Sequence, residues 1–87
     1  VSRVEEAARL LLDEVARRGR PLKLTRSKVR RLTGASVNTR LLADEVIRLA
    51  GERGDVAVYV ERRGDMRRVI LYPRWLGSPV LDGGWVE

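Results

Sequence analysis

Eighty-seven residues make one domain at most, and a chain of this length buries only about 60–65% of its unfolded surface. Cysteine and histidine are both absent, so no disulfide framework forms and a structural zinc site has no plausible ligands. The net charge is +6, and no run approaches the roughly 18 apolar residues of a membrane span.

The charge is unevenly spread. Residues 1–16 hold two basic and four acidic side chains, whereas residues 17–40 hold nine basic ones and no acid. Basic clustering of this kind is the electrostatic footprint of a phosphate-backbone partner. A solvated, Arg-rich surface of thermophilic character accounts for the abundance of charge, since 16 of the 18 cations are Arg, but not for its segregation. Catalysis has little to work with: there is no glycine-rich phosphate loop or nucleophile elbow, and the adjacent acids Glu5/Glu6, Asp13/Glu14 and Asp44/Glu45 do not face one another on a helix. The composition leads to the expectation of a cytoplasmic, non-catalytic protein that needs no cofactor, metal or membrane.

Ser2-Arg3-Val4-Glu5 reads as a capping box that opens a first helix. Val4, Ala7, Ala8, Leu11, Leu12 and Val15 follow the three-and-four spacing of one buried face, with Leu10 off it. Arg17 and Arg18 suit the negative end of the helix dipole, and Gly19 the position after it. Pro21-Leu22-Lys23-Leu24 alternates as a short extended segment fit for a sheet edge. Thr25 then caps a second helix, Arg26 to Thr33, with Val29 and Leu32 inward, Arg26, Ser27, Lys28, Arg30 and Arg31 outward, and Gly34 ending it.

A three-residue turn is expected next, with Ser36 capping a third helix. Leu42, Val46, Leu49 and Ala50 form its apolar stripe, with Ala43 and Ile47 at the margin. Val37, Arg40, Leu41, Asp44 and Arg48 lie opposite, and Arg40–Asp44 and Glu45–Arg48 are spaced to pair. Gly51 or Gly54 would end the helix.

From Asp55 the period becomes two. Val56–Arg62 and Arg67–Tyr72 read as a hairpin about Gly64-Asp65, in a register that sets Val60 opposite Val69, Val58 opposite Leu71 and Glu61 opposite Arg68. Pro73 to Glu87 reads as a loop-like tail carrying Trp75, Leu76, Val80, Leu81, Trp85 and Val86. Either this tail folds onto the second hairpin face (Tyr59, Ile70, Tyr72), or both meet a partner chain in a homodimer.

Helix, short strand, helix, turn, helix and two-stranded ribbon, in that order over residues 2–72, resemble the winged-helix DNA-binding domains. The resemblance is carried by element order, by the segment Thr25-Arg26-Ser27-Lys28-Val29-Arg30-Arg31-Leu32-Thr33-Gly34, and by the basic tip Arg62-Arg63-Gly64-Asp65. The Arg-rich, Cys-free composition is similar to that of small archaeal members. The resemblance implies an α+β winged helix: a three-helix bundle with a helix-turn-helix and a C-terminal hairpin wing over 1–72, followed by the apolar tail, 73–87.

It also implies double-stranded DNA as partner, for a transcriptional regulator or chromosomal protein. The first turn of helix 3 would enter the major groove. Asn38 and Arg40 have the chemistry to read adenine and guanine edges, and Ser36 and Thr39 to hold phosphate at a helix N-terminus. The bland readings are that Ser36 is only a cap and Asn38 only a solvated first-turn residue. Val37 either touches a thymine methyl or completes the core. Arg26, Lys28 and Arg30, with Arg20, Lys23 and Arg31 beside them, would meet backbone phosphates, and Arg62, Arg63 and Arg67 would form the wing contacts. The alternatives are a winged-helix interaction subunit of a transcription or replication assembly, and an RNA-binding protein.

Overall fold

The structure, a computed structural model, describes residues 3–77, 80–81 and 84–85, and for Arg63, Met66, 80–81 and 84–85 the backbone alone. Three helices, α1 (Arg3–Arg18), α2 (Arg26–Thr33) and α3 (Thr39–Glu52), pack against an antiparallel sheet. The sheet comprises β1 (Leu22–Lys23), β2 (Val56–Arg63) and β3 (Met66–Pro73) in the order β1-β3-β2, giving an α+β architecture. No helix is long and apolar enough to cross a membrane among the described residues.

α1 buries Ala7, Ala8, Leu11, Leu12 and Val15, as its periodicity predicts, and leaves Leu10 exposed. The expected capping box rests on Ser2, which lies outside the described residues. At the other end Glu14 pairs with Arg17 and Arg18, so these cations neutralise a carboxylate as well as facing the helix dipole.

The short segment after α1 does join the sheet: Leu22 pairs with Leu71 and Lys23 with Ile70, and the Leu24 N–H donates to the Val69 carbonyl at 2.8 Å. The hairpin register matches the sequence reading at every expected pair, including Val60–Val69, Val58–Leu71 and Glu61–Arg68. Gly64 has φ +57°, which the primed hairpin turns require and which side chains on Cβ disfavour. One face of the sheet sends Val56, Val69 and Leu71 into a core shared with all three helices. That core is apolar throughout, with no polar or charged residue buried among the described residues.

Two expectations are corrected here. α3 ends at Glu52 on Arg53, whose N–H donates to the Leu49 carbonyl; Gly51 lies within the helix, and neither Gly51 nor Gly54 takes a left-handed conformation. On the second hairpin face Ile70 is buried and Tyr59 and Tyr72 are half-buried. The tail is not loop-like from Pro73, which is buried and paired with Val56; a 3-10 turn (Arg74–Leu76) and a small hairpin, β4 (Val80–Leu81) with β5 (Gly84–Trp85), follow. Val86 lies outside the described residues, as do the side chains of Val80, Leu81 and Trp85.

Arg53 ties three elements together. Its guanidinium reaches Asp55 at 2.9 Å and Asp13 on α1 at 2.6 Å, fastening the end of α3 and the start of β2 to the first helix. The Arg53 charge holds the Asp55 carboxyl below its ordinary value. Because the folded pKa is the lower one, the contribution is complete above the ordinary Asp range near pH 4 and is lost as pH falls through the folded value. Both carboxylates are largely solvated, which limits the network to about 1 kcal/mol. The R53M variant is therefore expected to be slightly less stable than the parent at pH 7 and indistinguishable from it at about pH 2. Chemical denaturation at both pH values checks this, and an undiminished difference in acid would mean that lost packing, not charge, is responsible.

Candidate nucleic-acid interface

The link between α2 and α3 determines what α3 presents. Gly34 takes φ +73°, and its N–H donates to the Arg30 carbonyl at 2.8 Å, ending α2 in a left-handed cap. The Thr33 hydroxyl donates to the Val29 carbonyl at 2.6 Å and accepts from the Ala35 N–H at 3.3 Å, stitching the turn to the helix it leaves. The turn runs over five residues, Gly34 to Asn38, instead of three. Thr25 caps α2 as expected, its hydroxyl accepting from the Lys28 N–H at 3.2 Å.

The cap of α3 is Asn38, not Ser36. Its Oδ1 accepts from the N–H groups of Arg40 at 2.9 Å and Leu41 at 3.3 Å. Two consequences follow. Oδ1 is already engaged, so Asn38 cannot offer the paired donor and acceptor that an adenine edge needs without uncapping the helix. The same bonds occupy N–H groups that a phosphate would use at a helix N-terminus, which weakens that role for Ser36 and Thr39. Ser36 is exposed in the turn, and Val37 is half-buried and packs against the core, the second of its two expected roles.

Beyond this cap the first turn of α3 faces the hairpin across a cleft of about 550 Å³. Arg26 from α2, Thr39 and Arg40 from α3, and Arg62 and Arg67 from the hairpin line it, over a floor of Leu24, Ala43 and Val69. Five of the residues singled out in the sequence thus converge on one concave surface. Gly64, Asp65 and Asp44 complete the lining. Leu24, Ala43, Asp44, Gly64, Asp65 and Val69 are additions to the sequence-derived set; the long-range pairing of β1 with β3 brings Leu24 here, and no local pattern announces it.

The remaining expected residues lie elsewhere. Arg30 is exposed on α2, one turn beyond Arg26, but does not line the cleft. Lys28 is half-buried with its ammonium nitrogen screened from solvent, contrary to the outward position expected of it. The Arg63 side chain lies outside the described residues.

Much of the acidic surface outside the cleft is paired with arginine. Glu5 pairs with Arg9, Glu14 with Arg17 and Arg18, and Glu45 with Arg48 as its spacing predicts. Glu52 also pairs with Arg48, and Asp13 and Asp55 with Arg53. Arg48 holds the Glu45 carboxyl below its ordinary value, and Arg17 does the same for Glu14. These carboxylates are thus neutralised locally by arginines of their own neighbourhood. The expected Arg40–Asp44 pair is replaced by Arg67–Asp44 at 3.5 Å. Arg26, Arg40 and Arg62 carry no carboxylate partner and line the cleft, whereas Arg20, Arg30 and Arg31, also without one among the described residues, lie outside it.

No protein-family model, curated protein or solved structure matches this chain.

Proposed function

We propose that the protein binds double-stranded DNA as a winged helix, with the first turn of α3 at the major groove and the β2–β3 hairpin on the flanking groove or backbone. The observation that carries this reading is the convergence of Arg26, Arg40, Arg62 and Arg67 on one cleft, while Glu5, Glu14, Glu45 and Asp13 are paired with arginines outside it. The element order and the β1-β3-β2 sheet are those such a domain needs. A phosphate backbone requires exposed cations on a surface that a duplex can approach, and Arg26, Arg40 and Arg62 are exposed where α3 faces the hairpin. A role as a transcriptional regulator or chromosomal protein is the simplest use of such a domain.

The test is fluorescence anisotropy of a labelled random duplex, titrated at several salt concentrations. Micromolar binding is expected, with log K falling against log salt at a slope near −4, the value for about four neutralised phosphates. A flat salt response, or no binding at low salt, would remove the reading. A second reading, a protein-docking subunit, is favoured by Trp75, which is 74% exposed next to Gly19. Apolar docking through it would persist in salt that abolishes phosphate contacts.

A further inference from the structure

Asp44 is out of place in a surface built to meet phosphate. It lies four residues after Arg40, so both face the cleft from the same side of α3, and it is among the residues lining that cleft. Its side chain is 69% exposed, whereas its partner Arg67 is 27% exposed and approaches it across the cleft at 3.5 Å. The arginine is therefore packed down against the fold while the carboxylate projects outward. An ionised carboxylate accepts hydrogen bonds and donates none. Facing DNA, it repels phosphate oxygens and the acceptor atoms of guanine and thymine, and it is satisfied only by an exocyclic amino group, the N4 of cytosine or the N6 of adenine.

From this geometry we infer that Asp44 is a specificity-determining residue of the proposed DNA interface. It accepts from a cytosine or adenine amino group in the major groove and rejects duplex placements that put phosphate or a base acceptor there, while Arg67 positions it. The inference rests on the reading of the cleft as a duplex-binding surface. It assigns two opposite contributions to two neighbours on one helix: Arg40 adds affinity, and Asp44 subtracts affinity from every site except those with an amino donor at its rung. The side chain is exposed and its ion pair with Arg67 is solvated, so the pair adds little to stability while it holds the carboxylate at the cleft.

Two measurements test it, on the parent, the D44N variant and the D44A variant. The first is affinity for a random duplex at about 0.1 M salt. The second is selection of preferred sites from a randomised duplex library. Loss of the carboxylate is expected to raise random-duplex affinity about three- to tenfold. It is also expected to flatten the selected motif at one position, where the parent demands cytosine or adenine. D44N keeps the side chain's shape, so agreement between the two variants assigns the effect to charge. Unchanged affinity together with an unchanged motif would overturn the inference, as would a motif lost at every position. If the parent binds no duplex, the reading of the cleft fails and takes this inference with it. If the parent binds duplex and loses it on neutralising Arg40, while D44N changes nothing, the cleft reading stands and the inference alone is refuted.

Discussion

Truncating Leu42 to alanine is expected to remove about 2–5 kcal/mol of stability, whereas truncating its neighbour Leu41 changes it by about 0.5 kcal/mol or less. Leu42 is fully buried, one residue beyond an exposed Leu41, so the pair reports the rotation of α3 about its own axis. The larger loss combines the transfer free energy of the deleted atoms with a cavity that the rest of the core fills only in part. A domain of this length has only about 4–13 kcal/mol in total, so the L42A variant loses a large share of its stability. Its melting temperature should fall by on the order of 10–25 °C. Thermal unfolding followed by circular dichroism checks both variants. Equal losses would mean that the helix is rotated from the position described, and with it the residues that Arg40 and Asp44 accompany.

How much of this was legible in the residues depended on the range of the interaction. The buried face of α1, the Thr25 cap and the hairpin register were readable because each follows from side-chain period or from pairs a few residues apart. The register is over-determined: a one-residue slip in either direction breaks the apolar pairs and sends Leu71 to the wrong face. The start of α3 was misread because Ser36 and Asn38 are both good caps. What separates them is the packing of Val37 against the core, a long-range fact. The end of α3 was misread because two glycines competed with Arg53, whose hold on Asp13 spans 40 positions.

The functional residues divide in the same way. The basic character of α2 and the hairpin tip was evident from composition, but the cleft depends on β1 inserting beside β3 and on the angle of the hairpin to α3. Asp44 illustrates the difference most sharply. Helical spacing assigned it to Arg40, while the fold pairs it with Arg67, 23 residues further along the chain, and so turns it from a local ion pair into a link between helix and hairpin. Such a link lies outside what a period-based reading of one helix can see.

Neutralising Arg40 or Arg62 singly is expected to weaken duplex binding by about 1–3 kcal/mol each, and to reduce the salt slope by about 1 where the lost contact was to phosphate. The two arginines should differ in kind. Arg40 lies on the exposed face of α3 just beyond the Asn38 cap, so if it reaches a base edge, the R40A variant relaxes selection at one position. Arg62 stands on the hairpin, so the R62A variant should weaken all duplexes about equally. Arg31 supplies the control, because it is exposed and equally charged but lines a separate groove between α1 and α2 with Leu10 and Leu32. Losing it removes the same formal charge from the chain without touching the cleft. Anisotropy on the three variants, at two salt concentrations and with matched melting temperatures, separates local contact from net charge. If R31A weakens binding as much as R40A and R62A, the excess positive charge acts through its long-range field and the cleft is not the docking face. If only the two cleft variants lose affinity, the binding energy resides where α3 and the hairpin face each other, and the shape of that cleft decides which duplexes fit.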